Sequence, residues 1–156
     1  MKKLLFVCSG NTCRSPLAEG IAKKLLPKEL LNEIEISSAG SSALEGSPAS
    51  SQAVRVAGNH SIDLTNHSST LLNRTLVKDV NLIITMGSKH KKTVGVIEPT
   101  ALDYTYLLTD FCDGEEGDIA DPIGMGMGGY EETYEVLENC VRELMKKIES
   151  FDGWKK

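Results

Sequence analysis

No stretch of the 156-residue chain approaches the about 18 to 20 consecutive apolar residues that a bilayer-crossing helix needs. The chain also lacks a basic block: 17 Lys and Arg stand against 22 Asp and Glu, for a formal net charge of -5. The one small basic cluster, Lys89-His90-Lys91-Lys92, reads as a solvated helix face, so neither a nucleic-acid nor a membrane partner is expected. Only four cysteines occur, Cys8, Cys13, Cys112 and Cys140, and none has the C-x-x-C spacing of a zinc ribbon or a thioredoxin-type dithiol. Met1-Lys2-Lys3 is followed by only four apolar residues before Cys8, with no small-residue cleavage site, which is not a signal-peptide pattern. A cytoplasmic location with free thiols is therefore expected. Internal repeats, coiled-coil heptads and interdomain linkers are missing as well, and residues 1–156 read as one domain, expected to be a monomer.

What the chain does have begins at once. Leu4 to Val7 is an apolar run of strand character, Cys8 follows it into a short polar loop with Gly10, and Pro16 opens a helical pattern at the position where its missing N–H costs nothing. Strand, tight loop and helix N-terminus together build an anion site. Backbone N–H groups turned inward by the loop, with the unsatisfied donors of the helix end, favour a phosphate-sized dianion. Cys8 reads as a thiolate among those donors, and Arg14 as the planar fork that holds two phosphoryl oxygens. Gly10 permits tight backbone, Asn11 tolerates the left-handed conformation, and Ser15 supplies a hydroxyl.

Further along, apolar residues at helical spacing predict a helix over 16–26, limited by Pro27. Period-two alternation predicts a strand over 33–37 that runs into the small-residue loop Ser38-Ala39-Gly40-Ser41-Ser42. A helix over 47–58 follows, then a buried strand over 79–86, after which Ser88 is expected to cap a helix beginning at Lys89. A short strand is placed at 104–107 and a long final helix at 130–150. The glycine-rich stretch 123–129 has no apolar strand before it and reads as a flexible surface loop, not a dinucleotide loop. Strands that alternate with helices give an α/β fold, a parallel sheet of four strands covered by helices on both faces. Cys8, Ser38 and Met86 end three of those strands, so the ligand is expected at their carboxyl edge.

The stretch Val7-Cys8-Ser9-Gly10-Asn11-Thr12-Cys13-Arg14-Ser15-Pro16 resembles the phosphate-binding loop of the low-molecular-weight protein tyrosine phosphatase family. The resemblance extends over most of the chain, through Ser38-Ala39-Gly40, Asp63-Leu64-Thr65-Asn66-His67, Leu82-Ile83-Ile84-Thr85-Met86 and Asp121-Pro122. It implies a phosphocysteine mechanism with Cys8 as nucleophile, Arg14 as phosphoryl clamp and Asp121 as general acid, Asp118 being the nearest competitor. Ser9, Gly10, Asn11, Thr12, Cys13, Arg14 and Ser15 would line the phosphate site, and Asn11, Ser15, Ser38 and His67 would hold it in shape. A reversible Cys8–Cys13 disulfide protecting the nucleophile is also implied. Cys112 and Cys140 read as structural, and His60 and His90 as surface residues. No metal or cofactor is required, because thiolate, guanidinium and backbone donors supply nucleophile and charge stabilisation.

The substrate is a phosphorylated protein on this reading. Tyrosine-specific members carry a bulky aliphatic residue where Thr12 stands, aromatic residues after Asp-Pro and often another in the second-strand loop; here Ile123 and Gly124 follow Asp-Pro and Leu44 stands in that loop, leaving the walls without aromatics. Thr12 instead is similar to the bacterial protein arginine phosphatase branch, and a hydroxyl there can meet a planar guanidinium or place the hydrolytic water. Phosphoarginine is thus the first expectation and phosphotyrosine the second. An arsenate reductase would need later redox cysteines, and a phosphocarrier would have no use for Arg14 with Asp121.

Overall fold

The computed structural model describes Met1–Lys156. Its centre is a four-stranded parallel sheet in the order β2-β1-β3-β4, built from β1 (Lys2–Cys8), β2 (Ile34–Gly40), β3 (Leu82–Thr85) and β4 (Thr105–Leu107). The helices are α1 (Arg14–Leu25), α2 (Ser51–Asn59), α3 (Arg74–Asp79), α4 (Ser88–Ile97) and α5 (Gly126–Lys147). Short 3-10 turns follow α1, precede β4 and succeed it.

β1 lies inside the sheet, and period two divides its side chains between two cores. Leu4, Phe6 and Cys8 join the larger one, formed with α1, α2 and α5; Leu5 and Val7 join the smaller one, formed with α3 and α4. Burial on both faces is why the segment reads as a continuous apolar run. On β2, Ile34 and Ile36 point into the larger core, and Ser38, next on that face, stands beside β1 at the Phe6 register. The same alternation that packs the core therefore carries Cys8 and Ser38 to one side of the sheet edge.

Several boundaries differ from the sequence reading. α1 starts at Arg14, so Pro16 is its third residue, still in the turn whose N–H groups have no helical partner. β2 runs on to Gly40, and α2 starts at Ser51 with Ser50 as its cap, accepting from Ala53 N at 3.1 Å. Ser88 does not cap α4: Gly87 holds the cap position in extended backbone, and the Ser88 N–H is taken by Asp118 Oδ1 at 2.8 Å. The largest correction concerns the glycine stretch. α5 begins at Gly126, which like Gly124 just before the helix takes positive φ (70° and 83°), and it ends at Lys147. Gly129 is buried where α5 folds back on Met125, whose Cβ occupies the space a side chain would need. α3 has no counterpart in the sequence reading, being a six-residue helix without a core stripe of its own.

Candidate active site

The loop from Cys8 to Arg14 is shaped by what holds its carbonyl oxygens. Cys8 O accepts from Ser41 N, Ser9 O from Ser42 N and Thr12 O from Ser50 N, each at 2.9 Å. Asn11 O accepts from His67 Nε2 at 2.7 Å and from Ser69 Oγ at 2.8 Å. In a planar trans peptide the next residue's N–H points opposite to the carbonyl. Tying four carbonyls outward thus turns the N–H groups of Ser9, Gly10, Thr12 and Cys13 inward, toward the N-terminus of α1. Asn11 makes the bend at φ 56°, a conformation its short polar side chain tolerates. His67 bonds to a carbonyl, so its Nε2 must carry a proton.

The Asn11 amide then organises the floor of the loop. Its Oδ1 accepts from Thr70 N at 2.9 Å, which fixes the amide's orientation, and Nδ2 donates to Ser15 Oγ at 2.8 Å and Ser38 Oγ at 3.0 Å. Ser15 Oγ lies 2.9 Å from Cys8 Sγ. Because Ser15 accepts from Asn11, its own proton goes either to the sulfur at 2.9 Å or to the more distant Ala39 O at 3.4 Å, and a charged thiolate is the stronger acceptor. Ser38 in turn donates to Glu19 Oε1 at 2.6 Å. Asn11, Ser15 and Ser38 are all buried, Asn11 and Ser15 completely.

Arg14 is 4% exposed, and its guanidinium is shared between the loop and the segment that carries Asp121. Nη1 donates to Ile119 O at 2.9 Å, and Nη2 stands 3.6 Å from Asp121 Oδ2 and 3.5 Å from Ser9 Oγ. Ile119 N donates to Met86 O at the end of β3 at 2.8 Å. The guanidinium is therefore already oriented, with the Asp121 carboxylate beside it and 42% exposed. Asp118 turns the other way, onto Gly87 and the N-terminus of α4. The favourable end of that helix dipole holds it as an anchor for the loop.

Of the residues expected to set specificity, Thr12 lies in the loop and is half-buried, while Leu44 and Ile123 are exposed at 77% and 66%. Cys13 is buried, and its burial together with the neighbouring Cys8 pushes its thiol up to about 12, so that it stays protonated at neutral pH. All four cysteines are free and buried; Cys112 accepts from Asn139 Nδ2 at 3.1 Å, well away from the site. Two histidines depart from expectation. His60 is half-buried, stacked on Tyr134 at 3.8 Å and paired with Glu131 at 3.1 Å. His90, read as part of a solvated basic cluster, is fully buried, with Nε2 2.9 Å from Ser9 Oγ. Sequence reasoning also missed Glu19, Ser69, Thr70 and Ile119, because residues 19 to 119 meet the loop only through the fold.

The glycine the loop depends on is Gly40, not Gly10. A Cβ at Gly40 would run into Ser9 O and come within 2.9 Å of Asn11 N, whereas one at Gly10 would meet only Thr12 Oγ1, at 3.6 Å. Gly40→Ala is expected to lose about 1–3 kcal/mol of unfolding free energy by overpacking, and Gly10→Ala clearly less. Urea denaturation of both variants checks this; equal stabilities would mean that Gly40 does not shape the loop.

An inward ring of donors at a helix N-terminus, with a thiol at its floor and a carboxylate above it, belongs to the cysteine-dependent phosphatases, and comparison with known proteins agrees. The family model for low molecular weight phosphotyrosine protein phosphatase matches residues 3–151, and the chain is a member of that family. The protein-arginine-phosphatase of Bacillus subtilis (strain 168) is 34% identical over 93% of this chain and 95% of its own length. The low molecular weight protein-tyrosine-phosphatase Etp of Escherichia coli (strain K12) is 32% identical over 93% of each. A solved structure of YwlE arginine phosphatase, a cysteine-to-serine mutant with a phosphorylated active-site serine, superposes with a TM-score of 0.88. It is 31% identical, over 96% of this chain and 97% of that one.

Proposed function

We propose that this phosphatase hydrolyses phosphoarginine in proteins, with Cys8 as nucleophile, Arg14 as clamp and Asp121 as acid and base. The Cys8 thiolate attacks phosphorus in line while the phosphorus–nitrogen bond breaks, and Asp121 gives its proton to the departing guanidine nitrogen. Non-bridging oxygens rest on the inward N–H groups and on Arg14, where charge builds up in the transition state. In the second half Asp121, now a carboxylate, takes a proton from water; the water oxygen attacks phosphorus, the sulfur–phosphorus bond breaks, and phosphate leaves. The Cys8 thiolate returns to the Ser15 hydroxyl, 2.9 Å away.

The observation that carries the arginine reading is the rim. Thr12 gives the loop a half-buried hydroxyl, and Asp121 brings a half-exposed carboxylate to 3.6 Å from Arg14 in that loop, two groups suited to a planar, positively charged guanidinium. The aliphatic side chains of Leu44 and Ile123 offer a methylene stem apolar contact, but no ring for a phenyl group to stack on. The arginine phosphatase relative of Bacillus subtilis supports the same choice, and the tyrosine phosphatase relative supplies the second reading.

Turnover of matched phosphoarginine and phosphotyrosine peptides tests it. The wild-type chain is expected to favour phosphoarginine by about tenfold or more in kcat/KM, the scale of one well-placed polar contact. Thr12→Ile is expected to shift the ratio toward phosphotyrosine by a similar factor. Preference for phosphotyrosine in the wild type, unmoved by Thr12→Ile, would replace the first reading with the second.

A further inference from the structure

His90 is the third residue of α4, which follows β3, and its ring lies against the Cys8-to-Arg14 loop at Ser9. It is fully buried, and its Nδ1 is the one buried side-chain nitrogen or oxygen in the chain without a hydrogen-bond partner. The other ring nitrogen faces Ser9 Oγ at 2.9 Å, and that oxygen also lies 3.5 Å from Arg14 Nη2. Burial, then the nearby charge of Arg14, hold the imidazole down at about 4, so at neutral pH the ring is uncharged and carries one N–H.

Two tautomers are open to a neutral ring, and they leave different atoms orphaned. A proton on Nδ1 would bury an unpaired donor, which folded proteins rarely tolerate. A proton on Nε2 leaves only a bare lone pair at Nδ1 and donates a hydrogen bond to Ser9. The second arrangement decides where the Ser9 proton goes. With His90 donating into the hydroxyl oxygen, and Arg14 approaching the same oxygen as a second donor, the Ser9 O–H must point away from both. Ser9 is half-buried in the loop that surrounds the anion site.

We infer that His90 is a positioning residue, donating its Nε2–H to Ser9 Oγ so that the Ser9 hydroxyl proton is aimed at the phosphoryl group held by the loop. It adds a side-chain donor to the backbone N–H groups and Arg14. The inference rests on residues 8 to 14 holding phosphate, and not on which leaving group is released.

Inorganic phosphate is therefore the probe. Its affinity is measured as competitive inhibition of aryl phosphate turnover, and by calorimetry, for the wild type and for His90→Phe, His90→Gln, Ser9→Ala and the His90→Phe/Ser9→Ala double variant. His90→Phe and Ser9→Ala are each expected to weaken phosphate about tenfold, the scale of a hydrogen bond to a charged group. The double variant should be no weaker than either single one, and His90→Gln, which keeps an N–H, should recover most of the loss. Nitrogen-15 NMR of the imidazole should find the proton on Nε2. A proton on Nδ1, multiplicative losses in the double variant, or undiminished phosphate affinity in Ser9→Ala would each overturn the inference, even if His90→Phe does not fold. Failure of the phosphoarginine reading would look different: phosphate would still bind more weakly to both single variants and be rescued by His90→Gln, while phosphoarginine peptides went unhydrolysed.

Discussion

Cys8→Ser is expected to lower turnover by about 10⁴-fold or more and to leave the variant carrying a phosphoryl group on the new hydroxyl. Two consequences of one atom change combine. A serine hydroxyl is far less nucleophilic than a thiolate, yet it occupies the same place, 2.9 Å from Ser15 and beneath the inward N–H groups, so slow attack on a labile phosphorus–nitrogen bond continues. Breakdown is the harder half. It must expel an alkoxide in place of a thiolate, from a phosphoester that lacks the weak sulfur–phosphorus bond. The variant should therefore accept phosphoryl slowly and release it more slowly still. Intact mass spectrometry after incubation with a phosphoarginine peptide, followed by peptide mapping, should place one added phosphoryl on residue 8. Turnover within tenfold of wild type, or a phosphoryl found on another residue, would mean that Cys8 is not the attacking group. The fold should survive the change, since Cys8 is 2% exposed and a hydroxyl there can still bond to Ser15.

The parts of the site that could be read from sequence are those whose residues are close in the chain. β1, the Cys8-to-Arg14 loop and the start of α1 form one unbroken segment, and each local preference in it agrees with the next: apolar strand, left-handed Asn11, Pro16 in the first turn. What lay hidden was set by distance. Asn11 O is held by residues 67 and 69, and Arg14 by residue 119, contacts that exist only once β2 and β3 flank β1. Gly40 illustrates the same limit. Its role comes from lying opposite Cys8 in the sheet register, whereas Gly10, inside the motif, draws the eye and has room for a side chain. His90 escapes a sequence reading because three lysines around it, Lys89, Lys91 and Lys92, give the segment a solvated character. One helical position among them faces inward all the same.

Asp121→Asn should separate the two chemical steps, and it is the change with the next largest effect, about 10²- to 10³-fold in kcat on phosphoarginine peptides. Asparagine keeps the shape and can still lie near Arg14, but it can neither give a proton to a guanidine nitrogen nor take one from water. Loss of the ion pair itself should cost little stability, because Asp121 is 42% exposed and 3.6 Å from its partner. The leaving group then decides which step stalls. A nitrophenolate departs without a proton, so with nitrophenyl phosphate the variant should release about one equivalent in a burst and then turn over slowly, its phosphocysteine waiting for an activated water. Guanidine cannot leave without that proton, so with phosphoarginine no burst should occur. Asp118→Asn provides the contrast. Its carboxylate is engaged by the Ser88 N–H and packs on Gly87, so it acts through the position of the loop. Its loss should lower both steps together by about tenfold or less, with no burst on either substrate. A burst in Asp118→Asn and none in Asp121→Asn would exchange the roles assigned to the two carboxylates.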